Sequence, residues 1–397
     1  MSAHLSLRHR SFAYLTRYPS SSPFSTAAAT SKIPTLYEPT AAATTQDDDA
    51  PTTTLQLLSW GRGASGQLGG GIEEIRLYPT PVAKVVVPTS SFTLSPSQGR
   101  IQTPNCSNQE SNAGRSIVQV GISCGLFHSS LLVDGKLWIW GKGDGGQLGF
   151  GHENSLFLPT LNPNLDSVRF VALGGLHSVA LTTTGELYTW GYGGFGALGH
   201  SVYTRELFPR LVEGSWSGKI CHISTSGTHT GAITESANSN YELGRGDKVG
   251  GWTPKPVPSL VSVRIIQIES GGYHSLVLTD EGKVLSWGHG GHGQLGNSSL
   301  QSQKTPTVVE ALTDERVIYI ACGGSSSAAI TDKGKLYMWG YTKDSQLGVP
   351  GLPEIQPSPV EVKFLMEDDG LGAHNVLSVA VGASHAMCLV SRDELSN

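Results

Sequence analysis

The sequence predicts an all-β protein, a β-propeller of about six visible blades, and three observations support that prediction. The chain of 397 residues contains 50 glycines and 21 prolines, which disfavour helices. Apolar and polar residues alternate over short segments separated by glycine turns, as expected for strands. A unit of about fifty residues recurs along the chain. Only 15% of the residues are charged, which argues against a coiled coil or a highly charged disordered chain.

The repeat carries two markers that return in a constant order. A Trp-Gly pair is followed, eight positions after the tryptophan, by a Leu-Gly pair. Upstream of the tryptophan lies a Gly-x-His-Ser type segment, as in residues 174–181, and Ser326 replaces the histidine in one unit. The signature residues of the repeat are predicted to be Trp60, Trp140, Trp190, Trp287, Trp339, His128, His177, His229, His274 and His385.

Within each unit the alternation predicts several short strands. Asp134-Gly135 is a two-residue hairpin signal, and Gly185 and Gly282 mark the equivalent turns in other units. The β-branched run at 168–173 supplies a further strand. Proline-rich stretches are predicted to lie in the long connections, at 79–81, Pro159, Pro209, Pro306 and 357–359.

The two ends of the repeat region predict a closed ring. A unit of this size cannot bury both faces of its own sheet, so the units must pack beside one another. Residues 55–61 form a Trp-Gly strand with no histidine strand before it, and 379–390 form a histidine strand with no Trp-Gly strand after it. These halves are predicted to complete one blade, and residues 55–397 are the predicted propeller.

Two segments depart from the repeat. Residues 88–115 are a polar insertion of roughly thirty residues, either functional or disordered. The spacing from the histidine position to the Leu-Gly leucine is 20 or 21 residues in four units but 14 after His229, so a strand is predicted to be missing near 236–237. Either this unit lost its third strand alone, or that strand and one whole repeat were removed together. We favour the second alternative.

Residues 1–54 are predicted to be a disordered transit peptide and linker. They contain four lysine or arginine residues and many serines and threonines, with no acidic residue before Glu38, which is typical of an organellar import signal. An ordinary disordered tail is the alternative. We therefore expect a mitochondrial location, with nucleus or cytoplasm as alternatives. No apolar run is long enough to span a membrane, and a net charge of −5 gives no general attraction for nucleic acid.

Several motifs resemble chemical sites, but each follows the repeat. The pattern G-x-G-x-x-G occurs four times without a predicted helix to bind a pyrophosphate behind it. Ser123 lies in a G-x-S-x-G pattern, at a position that other units fill with Ala172 or Glu269, so it is not expected to be a nucleophile. His289 and His292 lack an evident third metal ligand. No catalytic, metal-binding or cofactor-binding residue is predicted, and the protein is expected not to be an enzyme.

The signature residues are predicted to be structural. The repeat histidines are expected to be half-buried and hydrogen-bonded to a neighbouring loop, and the tryptophans to fill blade cores with their indole N–H groups satisfied. The five cysteines lack a metal or disulfide spacing and are expected to be reduced. Cys124 and Cys322 occupy the same phase of different repeats and are expected to lie apart in space.

The motifs GGxHSxAL, DGxLYxWG and GxxGQLGxG, in this order, resemble the regulator of chromosome condensation repeat family over residues 55–397. The resemblance implies a propeller that usually has seven blades, whereas six are counted here. With the predicted transit peptide, the chain is similar to the plant mitochondrial members. That similarity implies a docking platform that supports splicing of organellar transcripts and respiratory complex I assembly, with protein partners, organellar RNA or RNA-binding proteins at the propeller faces.

The resemblance also implies other functions. One alternative is guanine-nucleotide exchange on a small GTPase, which the founding nuclear member carries out for Ran on chromatin. Another is a plain scaffold for organellar ribosome or protein assemblies. The photoreceptor branch of the family requires repeated G-W-R-H-T segments, and this chain has GLFHS and GGYHS instead. No cofactor is expected.

Overall fold

A computed structural model describes residues 33–39, 51–89, 91–94, 117–194, 196–214, 220–225, 230–234, 258–260, 263–364 and 374–392. The chain divides into two compact units, residues 1–32 and 33–397, and all described residues belong to the second. No helical segment among them has the length and apolarity that a membrane crossing requires.

The described residues form strands and two short 3-10 turns, at Pro258–Leu260 and Glu310–Leu312. The strands are β1 (Thr35–Tyr37), β2 (Thr52–Arg62), β3 (Ile75–Pro88), β4 (Phe92–Leu94), β5 (Val118–Cys124), β6 (His128–Val133), β7 (Lys136–Gly141), β8 (Leu156–Leu161), β9 (Val168–Leu173), β10 (His177–Thr182), β11 (Leu187–Gly191), β12 (Glu206–Leu211), β13 (Ile220–Thr225), β14 (Thr230–Thr234), β15 (Ile265–Ser270), β16 (His274–Thr279), β17 (Val284–Gly288), β18 (Gln303–Val308), β19 (Val317–Cys322), β20 (Ser326–Thr331), β21 (Leu336–Tyr341), β22 (Ile355–Glu361), β23 (His374–Val381) and β24 (His385–Arg392).

The strands assemble into five complete blades. Blade 1 has the order β23-β24-β2-β3, blade 2 is β5–β8, blade 3 is β9–β12, blade 4 is β15–β18 and blade 5 is β19–β22. Each blade is an antiparallel meander in which the histidine strand is second and the Trp-Gly strand is third. Blade 1 gains β1 on its outer edge, and blade 2 gains β4 beside β5. The prediction of an all-β propeller is confirmed.

The predicted number of about six blades is corrected to five. The sixth unit is a partial blade among the described residues, with β13 and β14 as its two strands. In the sequence, the spacing of 14 residues after the histidine position of this unit is too short for a third strand of the usual length. The predicted gap near 236–237, and His229 itself, lie outside the described residues.

The first and last repeat strands pair in one sheet. β2 and β24 are antiparallel, from Leu55 opposite Ser391 to Gly61 opposite His385, as the two half-units in the sequence predict. Contacts between first strands then lead from β15 through β19, β23, β5 and β9 to β13. Closure of the ring between β13 and β15 stays a prediction.

The core lies between the blades. Leu57 and Val85 of blade 1 pack with Val120, Leu131 and Trp140 of blade 2 in one buried cluster. A similar cluster joins blades 5 and 1, and others join blades 2 and 3 and blades 4 and 5. Each sheet therefore buries its faces against its neighbours, which a single repeat could not do alone.

Two local predictions have different outcomes. The Asp134-Gly135 hairpin is confirmed, with both residues at positive φ (49° and 76°), as a type I′ turn requires. The proline-rich stretches are not connections, because they lie in the fourth strands β3, β8, β12, β18 and β22. Proline is tolerated there since the fourth strand of a blade has a sheet edge on one side, where a missing N–H breaks no ladder bond.

Two segments outside the repeat also form strands. Residues 35–37, within the region predicted to be disordered, pair in parallel with β3, Thr35 lying opposite Lys84. Residues 92–94, within the predicted insertion, pair in parallel with β5, Phe92 lying opposite Val118. Most of the remaining transit peptide, linker and insertion lies outside the described residues, so those assignments stay predictions.

The first strands of the blades converge on a small central space. It is lined by equivalent residues of several blades, among them Ser123, Glu269, Ala321 and Ala380. Glu269 is buried, and burial raises the pKa of its carboxyl well above the usual value, although Gln267 Nε2 donates a hydrogen bond to Oε1 (3.1 Å). Blade 4 therefore has the carboxyl of Glu269 at a position where the equivalent residues of other blades have small side chains.

Cys124, Cys322 and Cys388 are free and buried. Cys124 and Cys322 line the same central space, so the expectation that they lie apart is wrong. Equivalent positions on the first strands approach one another because these strands surround the axis. Burial raises the pKa of both thiols, so neither is an activated nucleophile.

We predict that Glu269→Gln stabilises the protein at pH 8. The folded carboxyl has a raised pKa, so wild type loses stability as the pH rises above the ordinary value of 4.5, where the unfolded chain releases its proton. The amide cannot ionise and keeps the shape. Urea unfolding of both proteins at pH 8 and pH 4 measures the difference, which should shrink at the lower pH. A less stable variant at pH 8 would contradict the prediction.

Candidate interaction face

One hydrogen-bonded unit recurs where neighbouring blades meet. The main-chain carbonyl of Gln67 in blade 1 accepts from the indole of Trp140 (3.0 Å) and the hydroxyl of Ser129 (2.9 Å), both in blade 2. The Ser129 hydroxyl also contacts His385 Nε2 of blade 1 at 2.9 Å. The same unit, with equivalent partners, joins blade 2 to blade 3 through Gln147 and blade 4 to blade 5 through Gln294.

This geometry determines the tautomer of the repeat histidines. A serine hydroxyl has a single hydrogen, and its distance to the glutamine carbonyl assigns that hydrogen to the carbonyl. The hydroxyl oxygen must then accept from histidine Nε2–H. The Nδ1 atoms of His128, His274 and His385 are buried without an acceptor among the described residues, which disfavours a second proton, so these rings are neutral. Burial lowers the pKa of His128, His274 and His385 to about 3. Metal binding through Nε2 is excluded by this bond.

The signature residues therefore hold neighbouring blades together. The histidines are buried, not half-buried, and their partner is a hydroxyl on the second strand of the next blade instead of a loop. As expected, the indole N–H groups donate hydrogen bonds at Trp60, Trp140, Trp190 and Trp339. Trp287 is buried as well. His177 contacts Thr230 Oγ1 of the partial blade at 2.9 Å.

The same hydrogen-bonded arrangement aligns the ends of the second and third strands of each complete blade on one face of the propeller. In every complete blade the residue after Trp-Gly donates its N–H to the carbonyl of the residue before the histidine position. These N···O distances are 2.8–3.0 Å for Arg62–Ser384, Lys142–Phe127, Tyr192–Leu176, His289–Tyr273 and Tyr341–Ser325. We call these five pairs the varied face, because their backbone bond is constant while their side chains differ from blade to blade.

The varied face has a basic part and an aromatic part. Arg62 and Lys142 lie on blades 1 and 2, where Lys142 Nζ is 5.2 Å from the centre of the Phe127 ring. On blade 4 the Tyr273 side chain is 79% exposed. Arginine and tyrosine are residue types that dominate binding energy in protein interfaces. The face thus presents exposed groups of the kind that anchor a protein partner.

An aromatic row crosses from blade 4 to blade 5. The ring centres lie 6.4 Å apart for Tyr273 and His289, 5.5 Å for His289 and His292, and 5.2 Å for His292 and Tyr341. Gln294 Nε2 lies 3.1 Å from His289 Nδ1, which is thereby engaged within its own loop. The described residues contain no cluster of three or more side chains that could hold a metal.

The motifs that resemble chemical sites have structural roles. Ser123 lies in β5, where its hydroxyl accepts the N–H of Leu173 of blade 3 at 3.2 Å. The G-x-G-x-x-G loops connect third to fourth strands, and in the described chain they lead into β3, β8, β12 and β18. Sequence reasoning missed the exposed Tyr273 and the partly buried Phe127 and Tyr341 as candidates. The available signal was their variation inside an otherwise repeated motif.

Comparison with known proteins agrees with this architecture. The model of the RCC1-like domain family matches residues 52–388. The chain belongs to the RCC1-like domain family. The mitochondrial RCC1 domain-containing protein RUG3 of Arabidopsis thaliana is 54% identical, covering 92% of this chain and 94% of that protein. The ultraviolet-B receptor UVR8 of the same plant is 30% identical, covering 85% and 71%.

Among solved structures, Prp20p of Saccharomyces cerevisiae, described with binding properties to Gsp1p and histones, has a TM-score of 0.55 and 18% identity. It covers 87% of this chain and 93% of its own, and at this identity the likeness shows the fold alone. The alignment with RUG3 extends over 432 positions. Because 92% of 397 residues is about 365, about 67 of those positions have no counterpart in this RCC1-like chain.

We predict that the buried histidines make the protein sensitive to acid. Each unfolded histidine binds a proton near pH 6.5, whereas the folded one binds it near pH 3, so stability falls as the pH decreases between these values. His274→Ser copies the residue at 326. It should reduce the slope of unfolding free energy against pH by about 1.4 kcal/mol per pH unit near pH 5.

Urea unfolding between pH 8 and pH 4.5 measures this slope. The exposed His152 provides the matched control for loss of a surface histidine, in the variant His152→Ser. An unchanged slope in His274→Ser would mean that the folded state accepts a proton on this ring, contrary to its neutral hydrogen-bonded position.

Proposed function

We propose that this protein is a non-enzymatic docking platform of mitochondria that supports splicing of organellar transcripts and assembly of respiratory complex I. The observation that carries the proposal is the varied face, in which a constant backbone frame presents different side chains on each blade. The relative RUG3, 54% identical over nearly its whole length, is labelled mitochondrial, which supports the location. The fold alone would not support a function, since β-propellers have many different functions.

The charges of the face favour a protein over RNA as the direct partner. Lys142 Nζ lies 2.8 Å from Asp144, and Arg62 Nη1 lies 3.7 Å from Asp344. Tyr341 Oη donates to Glu354 at 3.1 Å. Binding to a phosphate backbone requires protein cations that can replace its counterions. On this face Lys142 and Arg62 already have carboxylate partners. An RNA would then be reached through an RNA-binding protein.

Guanine-nucleotide exchange on a small GTPase is the second candidate, because such a partner would use the same kind of exposed face. It is supported by the family resemblance and not by a nucleotide-binding feature of the chain. Purified protein mixed with GTPases that carry labelled GDP distinguishes the two candidates. Accelerated release of label would favour exchange, and no acceleration with any mitochondrial GTPase would reject it.

The location has a direct test. Residues 1–54 fused to a fluorescent protein should direct it to mitochondria, since the segment before Glu38 is basic, rich in hydroxyl side chains and free of acidic residues. Confocal imaging with a mitochondrial dye measures the overlap. A variant with Arg8, Arg10 and Arg17 changed to glutamine is the control and should be diffuse. A nuclear or diffuse signal from the parent fusion would contradict the proposal.

The varied face is tested with a pair of lysines at the two ends of one strand. Lys142→Glu changes the face, and Lys136→Glu changes an exposed lysine in the hairpin at the opposite end of β7. In cells that lack the protein, Lys142→Glu combined with Tyr273→Ser should reduce partner capture and organellar intron removal by about tenfold or more, as loss of interface anchors does.

Lys136→Glu should restore both readouts to the wild-type level. Circular dichroism and thermal unfolding of the purified variants show whether each is folded, which is expected because the changed side chains lie at the surface. Full intron removal by the Lys142→Glu, Tyr273→Ser variant would show that this face is not the docking surface.

A further inference from the structure

The N-terminal strand β1 is a structured part of blade 1. Thr35 lies opposite Lys84 and Tyr37 lies opposite Val85, so β1 extends the sheet beyond its fourth strand, β3. The main-chain N–H of Lys84 donates to the carbonyl of Pro34 at 2.8 Å. Residues 34–37 are therefore joined to the blade through their main chain, in the same way as its other strands.

β1 also connects blade 1 to blade 2. The Tyr37 hydroxyl donates a hydrogen bond to Asp134 Oδ2 at 3.0 Å, and Asp134 lies in the hairpin between β6 and β7 of blade 2. Leu36 and Tyr37 are partly buried and pack against the apolar cluster that joins the two blades. Burial, together with the Asp134 carboxylate, raises the pKa of Tyr37 to about 12. The phenol therefore stays protonated, as the donor requires, even near about pH 10, where an ordinary tyrosine is half ionised.

The composition of the chain changes where β1 begins. The residues before Ile33 include no acidic residue, and their four basic residues are Arg8, Arg10, Arg17 and Lys32. The first acidic residue, Glu38, follows β1. The chain also divides into its two compact units between residues 32 and 33. The basic, acid-free composition of the predicted import signal is therefore confined to the part of the chain that precedes β1.

The sequence between Arg17 and Ile33 suits a peptidase. Residues 19–31 are mostly serine, threonine and alanine and carry no charged side chain. Short and polar side chains near a chain terminus are favourable for proteolytic cleavage. A cut in this stretch would separate the three arginines from the propeller, whereas a cut after Tyr37 would remove the contacts of β1 with both blades.

We propose that a processing peptidase cleaves the chain between Arg17 and Ile33, and that the mature protein keeps β1 as a strap across blades 1 and 2. In this step one water molecule adds across one peptide bond, which leaves a carboxylate on the released segment and a new amino terminus on the mature chain. The proposal rests on the mitochondrial location proposed above. It narrows the removed segment from residues 1–54 to at most residues 1–32, because the structure includes residues 33–39 and 51–54 in the folded protein.

The first experiment identifies the amino terminus of the mature protein. The full chain with a C-terminal affinity tag is expressed in cells and purified from isolated mitochondria, and its free amino terminus is labelled and identified by mass spectrometry. The first residue should lie after Arg17 and no later than Ile33. A first residue at or before Arg17, or at Pro34 or later, would overturn the proposal.

The fractionation separates failure of this inference from failure of the proposed location. Mitochondrial protein with an amino terminus outside the expected range would overturn the processing step alone. Protein recovered only outside mitochondria would overturn the location and, with it, the processing step.

The second experiment tests β1 in the purified full chain with a matched pair of tyrosines. Tyr37→Ala removes the hydrogen bond to Asp134 and the packing against the cluster between the blades, so thermal unfolding should occur about 2 °C or more below wild type. Tyr14→Ala removes the same side chain from the segment that processing would release, and it should unfold at the wild-type temperature. Equal unfolding temperatures of the two variants would overturn the role of β1.

A shortened chain tests the boundary itself. Residues 33–397 should unfold at the same temperature as the full chain, since they include every residue that the structure describes. A lower unfolding temperature of this shortened chain would show that residues 1–32 contribute to the folded protein, and would overturn the proposed boundary.

Discussion

The main-chain carbonyl of the glutamine before Leu-Gly, present in four of the five complete blades, is the contact on which the propeller depends. It accepts an indole N–H and, in three blade contacts, a serine hydroxyl, all from the next blade, while the glutamine side chain folds back to accept an N–H of its own loop. A buried carbonyl with two donors and a buried indole with its acceptor pair the main-chain oxygen and the indole N–H between the sheets. The Nδ1 atoms of His128, His274 and His385 have no hydrogen-bond partner among the described residues. The apolar clusters between blades pack around this hydrogen-bonded centre.

Two substitutions in this hydrogen-bonded arrangement compensate each other. Between blades 5 and 1, Ser326 replaces the histidine and Ala386 replaces the serine, so neither partner is left without the other, and Trp60 still donates to Gln346. A single loss would bury an unpaired polar group, which costs more than losing both partners.

The residues that join the blades and the residues of the varied face are under different constraints. The residues that join blades are buried and repeated, whereas the pairs at the strand ends share only a backbone bond and are partly or fully exposed. Lys142, Tyr192 and Tyr341 occupy one structural position and differ freely because the bond that holds them uses no side chain. This separation lets one architecture present a particular surface without cost to its core.

The repeat pattern was sufficient to determine the histidine and Trp-Gly strands, the pairing of the first and last repeat strands and the Asp134-Gly135 turn, because each depends on alternation, on position within the repeat or on residues adjacent in sequence. Contacts between blades could not be read in the same way. The hydrogen bond of the buried His128 to Ser178, the bond of Trp140 to Gln67 and the central space that Cys124 and Cys322 both line involve residues 50 or more positions apart. Prolines such as Pro209 were misplaced because a free sheet edge exists only after the blade has formed. The sequence thus determined the local structure of each repeat, and tertiary packing decided which residues of other blades each repeat contacts.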